Sequence, residues 1–184
     1  MRKSFTWLLI SASIFLLPAC NTATPENYFD RAVLNCNMMM GFASDGQQRE
    51  LDQPSVKLVE GTKDQTAPMK RKEVIEQKIA YLDEAYTKIK DLQETDDTKE
   101  MLHASIALYD YVLPVYKSEY IQLAKLYDQG APSQQIASFS KSISVKYFAG
   151  FEDRFNKLTA AGKPYAERHN IKVNWGIKTS PQNQ

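Results

Sequence analysis

The chain has 184 residues with 23 Lys and Arg against 22 Asp and Glu, so its formal net charge is +1. Polyanion binders carry a basic stripe that contacts phosphates, and neither this balance nor any local pattern supplies one; nucleic acid is therefore excluded as a partner. One domain's worth of residues, with hydrophobic types at 43%, is enough to bury a core without disulfide staples.

The chain opens with Arg2 and Lys3, followed by an uncharged apolar run from Trp7 to Leu17. A positive start and a short apolar stretch form a secretory signal. As a helix the run spans only about 17 Å, short of the ~30 Å hydrocarbon core, so it is no permanent transmembrane anchor. Leu17, Pro18, Ala19 and Cys20 resemble the lipobox of bacterial lipoproteins. That resemblance implies removal of residues 1–19, lipidation of the Cys20 sulfur, and localisation in the bacterial envelope. The outer membrane is the expected site, on its periplasmic or surface-exposed side. With Cys20 lipidated, Cys36 has no disulfide partner within the chain.

Residues 20–25 then read as a lipidated polar tether and 26–178 as one all-α domain. The expected architecture is an up-and-down four-helix bundle of long helices with an extended C-terminal tail, and 179–184 is expected to be disordered. In the first helix Phe29, Val33, Cys36 and Met40 recur at steps of four, three and four, the spacing of one helical face. Cys36 on that stripe is a packed thiol. Met38, Met39 and Met40 would be soft ligands for Cu(I), but consecutive helical residues point about 100° apart and cannot converge on one ion.

Gln47 to Ala67 is the least regular stretch, with one short helix expected at Val56 to Glu60, and is a place for a binding loop. Thr66 and Pro68 carry the cap and first-turn chemistry of the second helix. Its stripe is Ile75, Ile79, Leu82, Tyr86 and Ile89, and the basic triplet Lys70, Arg71, Lys72 reads as a solvated turn at its start. The third helix, from Thr95 or Asp96, holds the most regular signal: Leu102, Ile106, Tyr109, Leu113, Tyr116, Tyr120, Leu123 and Tyr127 alternate steps of four and three. Leu108, Val112 and Val115 widen that stripe. Pro114 predicts a kink near Asp110 to Pro114, since it removes a backbone donor and crowds the preceding turn.

Gly130 ends this helix, and Pro132 with Ser133 begins the fourth, whose stripe is Ile136, Phe139, Ile143, Phe148, Phe151, Phe155 and Leu158, with Tyr147 between. Gly162, Lys163 and Pro164 read as an interruption before helix resumes at Tyr165. Ile171, Val173, Trp175 and Ile177 alternate with polar residues and predict an extended tail laid on the helices. Pro164, Tyr165, Ala166, Glu167, Arg168, His169 and Asn170, following Phe151, Glu152 and Phe155 and combined with Tyr28 and the lipobox, resemble an uncharacterised family of all-helical bacterial surface lipoproteins. That resemblance implies a helical fold and no activity.

Catalytic constellations are not legible. Glu100 and His103 have the spacing of di-iron bundles, which need a second such pair and two more carboxylates. Ser133, Ser138, Ser140, Ser142 and Ser144 lack a base and a nucleophile elbow. No catalytic residue, metal ligand or cofactor is assigned. What remains is tyrosine: Tyr109, Tyr116, Tyr120 and Tyr127 lie on the core stripe, where their rings pack with each hydroxyl reaching a partner or, alternatively, form an open face for a peptide, a glycan or an envelope protein. The expected function is a membrane-anchored binding or structural module. The alternatives are a metal- or haem-carrying bundle and an enzyme of unrecognised type.

Overall fold

The computed structural model describes residues 23–175. The signal segment, Cys20, Ile177 and the 179–184 tail lie outside them. The chain is predominantly helical, with one small antiparallel hairpin. The elements are α1 (Pro25–Ala32), a 3-10 segment (Leu34–Met39), α2 (Asp45–Asp52), β1 (Val56–Leu58), β2 (Thr66–Pro68), α3 (Arg71–Lys90), α4 (Lys99–Val115), a π turn (Tyr116–Tyr120), α5 (Ile121–Asp128) and α6 (Ser133–Arg168). No helix among the described residues is long and apolar enough to cross a membrane.

Side-chain clasps fix which ends meet. Tyr28 at the start of α1 donates its hydroxyl to the Gln93 carbonyl, 2.8 Å away beyond the end of α3. At the same end Asp97, before α4, takes Arg168 Nε at 2.8 Å and lies 2.6 Å from His169 Nε2, both at the close of α6. At the opposite end Asp128 finishes α5 and caps α3: the N–H groups of Arg71 and Lys72 donate to its two oxygens at 2.9 and 3.0 Å. Those amides are orphan donors of a first helical turn, and a carboxylate there also complements the helix dipole. The long elements consequently alternate in direction, and α4 packs most extensively on α6.

The Asp97 clasp carries a pH prediction. The hydrogen bond with His169, opposed by partial burial and aided by Arg168, holds the Asp97 carboxyl below its usual range. A depressed folded-state value stabilises above the unfolded carboxylate range and is lost as pH falls through the folded value. Because the carboxylate is 40% exposed, solvent screening limits the effect to below about 1 kcal/mol. Denaturant titrations below about pH 4 should show a steeper acid limb in the native protein than in Asp97→Asn.

The first segment departs from the expected single helix. After α1 the chain tightens to three residues per turn, so Val33, Cys36, Met39 and Phe42 become the buried set. Met39 replaces Met40 on the inward face, and Met40 is 59% exposed. The three methionines do not converge. Cys36 is fully buried, donating to the Ala32 carbonyl at 3.3 Å, and burial pushes its thiol up to about 12. It is packed and unreactive, as its stripe position predicts.

Further expectations are corrected. Val56 to Glu60 is not helix: Val56 pairs with Pro68 and Leu58 with Thr66 in a hairpin. Thr66 and Pro68 therefore belong to β2, and α3 starts at Arg71, with Glu73 accepting from the Lys70 N–H at 3.1 Å. The third helical run starts at Lys99, because Thr98 turns back to accept from the Thr95 N–H at 2.9 Å. Finally, α6 runs unbroken for 36 residues through Gly162 and Pro164. Gly162 is there for contact: a Cβ on it would stand 3.0 Å from Val33 Cγ2. Burial of Tyr165 and Ala166 and the Asp97 clasp carry the helix past the proline, so tertiary packing overrides a local breaker. Phe148, expected inward, is exposed, whereas Ile143, Phe151 and Leu158 are buried. Ile171, Val173 and Trp175 pack on the core in irregular chain, Trp175 meeting the Phe29 ring edge-on at 5.7 Å.

Candidate functional site

Pro114 does disturb its helix, but the disturbance falls just beyond it. Proline has no N–H to return, and the chain absorbs the mismatch as a wide π turn over Tyr116–Tyr120. Ser118 Oγ lies 2.7 Å from the Pro114 carbonyl. The wide turn lets Tyr116 and Tyr120 both point inward, stacked at 4.7 Å, while Lys117, Ser118 and Glu119 between them stay outward. Single π turns inside helices recur at functional sites.

The stripe tyrosines follow the packed reading and not the alternative of an open face, except at Tyr127. Tyr109, Tyr116 and Tyr120 are buried beneath the first segment, which lays Cys36, Phe42 and Gln47 over the stripe. Only Tyr127 keeps partial exposure; its hydroxyl donates to Asp52 at 2.7 Å, and Arg71 lies 5.9 Å over its ring. The Tyr120 hydroxyl accepts the Ala43 N–H at 2.8 Å, whereas the Tyr109 hydroxyl, buried beside Cys36, has no partner. Burial raises the phenols of all four. Tyr109, Tyr116 and Tyr120 build the core.

Tyr116 donates to Gln47 Oε1 at 2.6 Å, and both side chains are buried. Gln47 Nε2 in turn donates to Glu50 at 2.9 Å, and Lys78 pairs with Glu50. Tyr116→Phe should therefore cost about 1 to 3 kcal/mol, measurable by chemical denaturation, because it leaves a buried acceptor with only the longer 3.4 Å contact from Lys78.

Beside the π turn, and on the outer side of it, α5 and the first half of α6 diverge to leave a groove of about 810 Å³. Ile121, Phe139 and Ile143 give it an apolar floor; Gln122, Ser142, Lys125 and Lys146 border it. Its centre is Glu119, which accepts from the Tyr147 hydroxyl and from Ser118, with Lys146 Nζ at 3.5 Å. Burial pushes the Glu119 carboxyl up, but the hydrogen bonds from Ser118, Tyr147, its own backbone and Lys146 together outweigh that and hold it below the usual range. The carboxylate is thus charged and fixed. Lys117 also lines it and pairs with Asp83 at 2.8 Å; Lys125 and Lys146 are its other cations. An apolar base with a few convergent polar groups, at this volume, is the form of a ligand site.

None of these groove residues is a motif in sequence. The one signal was Lys117, Ser118, Glu119 interrupting an otherwise apolar run just after a proline. The Glu100 and His103 pair is not assembled: His103 instead meets Glu94 at 2.6 Å on the surface. Among the described residues no group of three or more His, Cys, Asp or Glu is placed to hold a metal ion. The serines of α6 point to no base; Ser140 meets Gln48 at 3.2 Å and Ser142 its own helix at Phe139 O, 2.7 Å away. Comparison with protein-family models, curated proteins and solved structures gives no match.

Proposed function

We propose that this protein is a lipid-anchored component of the bacterial cell envelope, tethered through Cys20, that acts by binding rather than by catalysis. Its helices form an up-and-down four-helix bundle whose first member is broken at the 3-10 segment and α2. The ligand surface is the groove at the π turn, and the partner is an envelope protein, peptide or glycan. The observation that carries this reading is Glu119: a carboxylate locked in its charged form by Ser118 and Tyr147, over an apolar floor, presents a fixed acceptor to a ligand donor. A general acid would need the opposite shift. Tethering near a membrane raises the effective concentration of envelope partners, which suits an open groove of modest affinity.

A photo-crosslinking residue at Gln122, inside the groove, should give a discrete adduct in intact cells. The same residue at Lys88, on α3 away from the groove, should not. Glu119→Gln should reduce the Gln122 adduct by about tenfold, the loss of one charged hydrogen bond. Equal adducts from both positions, or none from Gln122, would remove the groove from consideration.

A further inference from the structure

Helix α6 buries Ile143, Phe151 and Leu158 on its inner side, yet two of its large apolar residues stand in solvent. Val145 is 74% exposed and Phe148 is 41% exposed. Packing within the domain does not account for them. Lys141, Val145, Phe148 and Glu152 succeed one another at steps of four, three and four, so on one continuous α-helix all four share a single stripe. Every one of them is exposed, as is Ala149 beside Phe148. The groove takes Phe139, Ile143 and Tyr147 from α6, and these lie roughly a third of a turn or more around the helix from the stripe. The stripe is thus a separate surface.

Its charges say what covers it. Alternating steps of three and four make the seam along which two helices pack at a small crossing angle. Lys141 precedes Val145 by four residues and Glu152 follows Phe148 by four. In an antiparallel pair about a two-fold axis, setting Val145 against Phe148 of a second copy therefore sets Lys141 against Glu152 of that copy. The axis repeats both contacts. A parallel pair would set lysine beside lysine and glutamate beside glutamate, so charge selects the antiparallel arrangement. Neither charge is used within the chain: among the described residues Lys141 and Glu152 have no ion-pair partner, whereas Lys157 holds Asp153 at 2.8 Å and Lys146 lies 3.5 Å from Glu119. About 16 Å apart along the helix, they cannot pair with each other.

We propose that the outer stripe of α6 is a self-association surface, on which a second copy of this chain packs its own α6 antiparallel. Val145 and Phe148 form the apolar centre, and two symmetry-related pairs of Lys141 with Glu152 close its ends. Contact over about three turns of helix is smaller than the ~800 Å² per partner of a stable interface, so the pairing is reversible. It leaves the groove open in both copies, and it does not depend on the lipid at Cys20.

Two full-length copies with different epitope tags, each carrying a photo-crosslinking residue at Val145, are expressed in the same cells. Illumination should give an adduct of twice the chain mass that bears both tags, with the crosslink in the peptide that holds Phe148 of the second copy. Lys141→Glu and Glu152→Lys, both at exposed positions, should each reduce this adduct by about tenfold, because the two-fold axis turns two attractions into two repulsions. Both reversals in one chain should restore it. So should a Lys141→Glu copy expressed beside a Glu152→Lys copy, a rescue that contacts within one chain cannot produce and that only folded variants can show. Single reversals without effect, or mixed copies that fail to restore the adduct, overturn the antiparallel pairing. Capture at Val145 of another protein, of lipid or of the chain's own termini, with no doubly tagged adduct, overturns the second copy as the occupant, and so does no capture at all.

Discussion

Phe42→Ala should lower the unfolding free energy by about 3 to 5 kcal/mol, the range for removing a fully buried aromatic side chain, when measured by chemical denaturation. Phe42 sits in the turn between the 3-10 segment and α2, yet it has no solvent exposure. Its ring contacts four others: Phe151 at 5.2 Å, Tyr116 at 5.6 Å, Tyr120 at 5.9 Å and Tyr111 at 6.4 Å. These come from both α4 with its π turn and α6, so the ring joins three parts of the chain. Two terms add in the variant: lost transfer of the ring from water and a cavity among rigid aromatic neighbours that collapse poorly. Against a typical stability of about 5 to 15 kcal/mol this is a large share. Tyr81→Ala, on the exposed face of α3, should change stability by less than about 0.5 kcal/mol. A Phe42→Ala loss below about 1 kcal/mol would mean that the first segment does not close over the tyrosine stripe.

The importance of Phe42 could not be read from the chain, and the reason is geometric. Sequence periodicity assumes one helical pitch. In α3, α4 and α5 the spacing holds, and Ile75, Leu82, Ile89, Leu102, Tyr109, Leu113 and Leu123 are buried as it predicts. The first segment changes pitch after Ala32, which moves the core position from Met40 to Met39 and brings Phe42 into register. No propensity marks that change; it follows from packing Cys36 and Met39 against the α4 face. The hairpin was missed for a related cause. Its strands are three residues each, too short for a period of two to declare itself, and Val56 and Leu58 remain 61% and 62% exposed. Gly162 and Pro164 misled in the other direction, since contacts made by Val33 and Asp97 keep α6 intact across them.

The candidate site was less legible still. The tyrosines drew attention because hydroxyls on a core stripe need explanation, and the explanation proved internal: Gln47, Ala43 and Asp52 satisfy three of them. The groove depends instead on Glu119 and Tyr147, 28 residues apart, meeting across two helices. Glu119 lies in the π turn, and a π turn leaves no mark in the sequence beyond the proline that precedes it.

Cys20→Ser should abolish lipid attachment. Serine cannot form the thioether that carries the lipid, and one hydroxyl offers no membrane affinity of its own. Each buried methylene contributes about 0.8 kcal/mol, so loss of even one acyl chain removes on the order of 10 kcal/mol of gross partitioning. In fractionated cells the native protein should pellet with membranes and take up a labelled fatty acid; the serine variant should take up none and appear unprocessed or in the soluble fraction. Equal labelling of the two would place the lipid elsewhere.

The anchor is where the account is most exposed to a single result. Intact-mass analysis of the protein purified from membranes, with fragmentation of its N-terminal peptide, reads the modification on Cys20 directly. The account predicts a chain that begins at Cys20 and carries diacylglycerol on its sulfur. A chain that still begins at Met1, or one that starts at another residue with Cys20 unmodified, would contradict it.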